Sequence, residues 1–249
     1  MPDLNLPGWQ PADDASARIQ AHFLMAEEAY DLLTEASHEE LGGNDDFLLY
    51  EDLNAYHEAG RPAVAAHLHY NTDARTFTLD IERTPTFSMA TAWLVERGAD
   101  QDMFLHSTGH PGAPADERSA KAAERFIDTN ARYRLEEYAV EPGETWAMLR
   151  DTTAAGAERP YLLQIEAGDP EHGYTLREGS FSSPQEVQQW LEQRRTALPP
   201  VAGADVPLVY SPQASAARTR TAVAPGKAAA SEPVPAAALA ARAGRRAVR

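Results

Sequence analysis

His67-Leu68-His69 holds the residues best placed to do chemistry in this chain. Alternate side chains of a strand share a face, so both imidazoles point the same way. A return strand after the turn at Asn71-Thr72-Asp73 brings Asp80 opposite His67 in one hairpin register. Two imidazoles and a carboxylate on one face suit zinc or another divalent metal, and through it a metal-dependent enzyme. The same residues equally suit a plain solvated strand face.

Other constellations are incomplete. Glu35-Ala36-Ser37-His38 has the spacing of one carboxylate-bridged di-iron half-site, but the chain has no second copy. It has no Gly-x-Gly-x-x-Gly, no Walker loop and no His-Glu-x-x-His. The absence of cysteine removes thiol catalysis, disulfides and zinc–thiolate sites together. No catalytic residue and no cofactor is assigned on this basis.

Charge divides the chain. The net charge of −16 combines a +5 stretch over residues 201–249 with a body near −21. Arg242, Arg245, Arg246 and Arg249 form a loose basic cluster at the end. Such a cluster can grip nucleic acid through phosphates, or fold back on the acidic body. It lacks the aromatic residues that stack on bases. The acidic body itself repels phosphate backbones and membrane surfaces. No apolar run approaches the ~18 residues that span a bilayer. The start, Met1-Pro2-Asp3-Leu4, has no basic and apolar leader. The expectation is a cytoplasmic protein.

The elements that position these residues are legible from periodicity. Ile19, Phe23, Ala26, Tyr30 and Leu33 make one apolar stripe and predict a helix over residues 15–36, with Asp14 as its cap. Val64, Ala66 and Leu68 alternate, as do Phe77, Leu79 and Ile81, which predicts a hairpin. A helix with Ala90, Trp93 and Leu94 follows. After Gly/Pro-rich residues 99–115, Asp116 caps a helix holding Ala123, Phe126 and Ile127. Extended segments then run to Leu176. Ser183-Pro184-Gln185-Glu186 is a capping box with proline at the first helical position.

The second half echoes the first. Thr78-Leu79, Trp93-Leu94 and Arg97 recur as Thr175-Leu176, Trp190-Leu191 and Arg194, about 97 positions on. The expected fold is α+β: two tandem helix–three-strand–helix units from an internal duplication, packed as a pseudo-twofold body with antiparallel sheets. Residues 1–14 read as a flexible arm, 15–98 as the first unit and 99–115 as a linker. Residues 116–198 read as the second unit. Residues 199–249, rich in Ala, Pro and Arg, read as a disordered basic tail. On this pattern Trp93 and Trp190 belong to packing. The function expected is a non-enzymatic interaction or regulatory protein whose partner is another protein. A metal-dependent enzyme using His67, His69 and Asp80, or a protein tethered to nucleic acid by its tail, are the alternatives.

Overall fold

The computed structural model describes residues 4–37, 44–58, 60–106, 111–141, 143–153, 158–169 and 172–201. His38, Gly42-Gly43 and the arginines of the tail lie outside them.

Helices and strands are mixed, and the strands form two sheets. The first half runs β1 (Gln10–Pro11), α1 (Asp14–Met25), β2 (Tyr30–Ala36), β3 (Asp45–Asp52) and the single-turn α2 (Ala55–Glu58). It continues with β4 (Ala63–Asn71), β5 (Thr76–Thr84) and α3 (Phe87–Glu96). A short α4 (Gln101–Leu105) follows. The second half runs α5 (Glu117–Thr129), β6 (Tyr133–Glu141), β7 (Glu144–Asp151), β8 (Tyr161–Asp169), β9 (Gly173–Phe181) and α6 (Pro184–Gln193).

The sheet orders are β1-β5-β4-β3-β2 and β6-β7-β8-β9, antiparallel apart from the parallel β1. Four strands therefore follow each opening helix, not three. The missed one is β2. The helix predicted over residues 15–36 ends at Met25, and a 3₁₀ turn at Glu27–Ala29 leads into the strand. The period of three and four persists through Tyr30 and Leu33 because β2 has a register shift between Leu32 and Thr34. An irregular strand of this kind imitates a helical stripe.

Helix starts follow from their capping chemistry. Asp13 accepts the N–H of Ser16 at 2.7 Å, and Asp116 that of Ser119 at 2.7 Å. Asp13, not Asp14, caps α1. Ser183 caps α6 through Glu186 N, with proline in the first turn.

Three apolar clusters define the layers. Phe23, Tyr50, Val64, Leu68 and Leu79 join α1 to one face of the first sheet. Trp146, Leu163, Ile165 and Val187 join α6 to one face of the second. The largest cluster lies between the sheets, where α3 and α5 meet: Phe47, Leu49, Ala65, Ala90, Leu94, Phe126, Ile127, Leu162 and Leu176. The layers are thus α1, sheet, α3 with α5, sheet, α6. This arrangement is head to tail, not pseudo-twofold. A twofold would bring α6 against α1 as α3 meets α5, yet α1 and α6 cover the two outer faces. Phe104 and Leu105 of α4 are buried in the central cluster, within the stretch read as a linker. Val201 also packs on it, and Leu198 on the α6 side, so folded contacts reach slightly past residue 199.

Candidate functional site

β4 carries His67 and His69 on its α3 side, beyond Ala63 and Ala65. The register pairs His67 with Asp80, the register that the sequence suggested. Asp80 is exposed, and it is Asp45 that joins the histidines. Asp45 Oδ1 lies 2.9 Å from His67 Nε2 and 2.8 Å from His69 Nδ1. Burial would raise the Asp45 pKa, but its bonds to the two imidazoles outweigh that and hold it below the ordinary value. The Phe47 ring stacks on His67 with centroids 4.8 Å apart. Among the described residues, no group of three or more His, Asp or Glu is arranged to hold a metal ion. The arrangement does what a carboxylate between two imidazoles does: it fixes both rings at the end of β3.

A second polar site lies where the halves meet. A cleft of about 280 Å³ is lined by Leu33, Glu51, Tyr56, Phe87, Thr145 and Glu166, among others. Glu166 of β8 reaches across it to the N-terminus of α3. It accepts the N–H of Phe87 at 2.7 Å and that of Ser88 at 3.3 Å. Helix N-termini leave N–H groups unpaired and attract negative charge, so this carboxyl is a cap supplied by the other half. Burial nevertheless pushes its pKa up to about 8, against the pull of the two donors, and the charge of Glu51 adds to the rise. Tyr56 donates its hydroxyl to Glu51 at 2.6 Å, and the partial desolvation of its hydroxyl in the cleft, with that bond and the Glu51 charge, raises its pKa although the ring is exposed. Tyr174, fully buried nearby, is raised by burial and by Glu166. Its hydroxyl has no hydrogen-bond partner.

The sequence reading did not single out Glu166. The available signal was the alternation Leu162, Gln164, Glu166, which puts polar residues on a buried face. Gln164 and Glu178 share that face, with Gln164 Nε2 donating to Glu178 at 3.1 Å and Arg125 ion-paired to the same carboxylate. These polar groups are hydrogen-bonded into the scaffold.

The tryptophans are structural. Arg97 lies over the Trp93 ring, 3.4 Å from its centroid, and Trp93 packs on the central cluster. Trp190 donates to the Thr196 carbonyl at 3.2 Å and meets Phe181 edge-on.

A third feature is apolar. Among the described residues, the large hydrophobics left exposed are Leu24, Met25, Leu53 and Tyr56. Leu24, Met25 and Leu53 sit at one end of the first sheet, and Tyr56 lines the cleft between the halves. Leu24 and Met25 end α1, Leu53 follows β3, and the Leu53 N–H bonds the Ala29 carbonyl at 2.9 Å. Met25 is 89% exposed. Glu28, Asp31 and Glu51 lie beside these residues in the chain. Exposed large apolar side chains next to one another, as Leu24 and Met25 are, are a feature of many protein-binding surfaces.

The chain matches no protein-family model, no curated protein and no solved structure. No helix among the described residues is long and apolar enough to cross a membrane.

Proposed function

We propose that this is a non-enzymatic interaction or regulatory protein, made of two copies of one helix–four-strand–helix unit, and that the exposed end of the first sheet is its binding surface. The duplication rests on matching details. Ser16 and Ser119 each follow an aspartate cap by three positions, and their hydroxyl oxygens accept the backbone N–H of Leu79 and Leu176, at 3.0 and 2.9 Å. Asp52 and Asp151 end β3 and β7 and donate their backbone N–H groups to the carbonyls of Pro62 and Pro160. Register shifts fall between Leu32 and Thr34 and between Leu135 and Glu137. Gln10 and Ala12 bond the edge of β5 as Ala113 and Ala115 bond that of β9. A single shift of about 97 suits only the later elements. The loop after β2 is longer than the one after β6, so α1 answers to α5 at a wider shift, Phe23 to Phe126 and Tyr30 to Tyr133.

One observation carries the functional reading. Counted from Ser16 and Ser119, Leu24 stands where Ile127 stands and Met25 where Asp128 stands. Ile127 and Asp128 are buried, Ile127 in the layer that α5 shares with α3, whereas Leu24 and Met25 are open. The first unit thus offers outward a face that its counterpart uses for helix packing. The outer side of α6 carries Gln185, Gln189 and Glu192, a polar end for the stack. A second copy placed head to tail would set those polar groups on Leu24 and Met25, so the fitting partner is another protein with an apolar helix.

A photo-crosslinking amino acid at position 25 tests this in living cells. A discrete heavier species is expected from position 25 and none from position 189 on α6. Indistinguishable patterns from the two positions would contradict the reading.

A further inference from the structure

The binding end of the first sheet has a candidate occupant within the chain itself. We propose that the C-terminal segment, residues 235–249, docks on the Leu24–Met25 end of α1. The inference rests on that end being the binding surface.

Three observations support this occupant. The first is what a matching face accepts. α5 packs against α3, a helix in which the small side chains of Ser88, Ala90, Thr91 and Ala92 are buried beside Phe87, Leu94 and Val95. Residues 236–243, Ala-Ala-Ala-Leu-Ala-Ala-Arg-Ala, have the same small-residue character. At helical spacing Ala236, Leu239, Ala240 and Ala243 form one apolar stripe. No comparable stripe occurs elsewhere beyond Val201.

The second is charge. Arg242, Arg246 and Arg249 recur at spacings of three and four beside that stripe. Around the apolar end, Glu28 and Asp31 are exposed and Glu51 is half-buried. Of the arginines at that end of the sheet, Arg83 is bound to Asp52 and to the Tyr30 hydroxyl, and Arg61 is paired with Glu82. A basic amphipathic segment therefore meets an apolar centre with acidic neighbours, whereas a second acidic body would be repelled.

The third is reach. Val201 is held on the folded body. The ~30 residues between it and the segment span up to about 100 Å when extended, at ~3.3–3.6 Å each. Tethering also makes the docking intramolecular, which raises the effective concentration without any new contact.

The full-length chain suits a direct test because it has no cysteine. Ala243→Cys carries a nitroxide, and the methionine methyl signals are read by NMR against a diamagnetic label. The Met25 methyl is expected to lose most of its intensity, while Met148, buried against the far sheet, keeps its own. High salt, or Arg242→Glu with Arg246→Glu, should restore Met25. An undiminished Met25 signal would overturn the proposal. So would broadening seen only when unlabelled and spin-labelled chains are mixed, since that assigns the segment to a second copy. If Met25 stays sharp but crosslinks to a partner in cells, the binding surface stands and only the tail contact falls.

Discussion

Glu166 Oε1 accepts the backbone N–H of Phe87 at 2.7 Å, although the two residues belong to opposite halves of the chain. The bond joins the second sheet to the first residue of α3, the helix on which the first sheet rests. It makes the junction between halves polar at its rim and apolar at its centre. The proton on Glu166 is therefore coupled to the strength of that junction.

The sign of the coupling follows from its pKa of about 8, raised from 4.5. Below the ordinary glutamate range the group is neutral in both folded and unfolded chains, and its contribution is fully present. As pH rises from the ordinary range towards about 8, the unfolded state has lost a proton that the folded state still holds, so stability falls until the folded state releases it. The pH-dependence of urea unfolding between pH 5 and 9 should flatten in Glu166→Gln. Glu166→Ala should cost about 1–3 kcal/mol at pH 6, because two helix N–H groups lose their acceptor. An unchanged pH slope in Glu166→Gln would remove the coupling.

Ser16→Ala and Ser119→Ala should be matched lesions. Each leaves a buried backbone N–H, of Leu79 or Leu176, without its hydroxyl acceptor. About 1–3 kcal/mol is expected for each in equilibrium unfolding. The two sites share no partner, so the double variant should lose roughly the sum.

Acid should act through Asp116. Hydrogen bonds from Arg177 lead the causes that hold its carboxyl well below the usual range. Its stabilisation is present above the ordinary aspartate pKa and is lost as pH falls through the depressed one. Arg177→Gln should reduce the loss between pH 4 and 2. The pair is partly exposed, so solvent screening limits the effect to about 1 kcal/mol or less.

Gly112→Ala should destabilise by overpacking alone. A Cβ there would lie 2.8 Å from Thr34 Oγ1, 2.9 Å from Leu33 Cβ and 3.1 Å from a Leu49 methyl. Overpacking of this kind costs about 1–3 kcal/mol, measurable as a lowered unfolding midpoint.

These sites differ in how readable they were. The β4–β5 hairpin was visible because Val64–Leu68 and Phe77–Ile81 alternate cleanly, and the ladder pairs His67 with Asp80 as that pattern suggested. The capping box at Ser183 marked α6 for the same reason: a local interaction leaves a local trace. β2 was not visible, because its register shift disguises the strand period as a helical one. Asp45 and Glu166 were hidden differently. Their partners are His67, His69, Phe87 and Ser88, far away in sequence, and only strand pairing and the stacking of the halves bring them together. The head-to-tail order was equally out of reach, since periodicity shows which face is apolar but not what lies against it.

We propose that the protein works by binding another protein through the exposed end of α1. Leu24→Glu with Met25→Glu, both at exposed positions, should leave folding within about 0.5 kcal/mol of the parent. The decisive measurement is the mass of the complex isolated from native cells under mild conditions. The parent chain should emerge with a stoichiometric protein partner, and the double variant as the bare chain. Equal recovery of that partner by the double variant, or its absence from both, would contradict the claim.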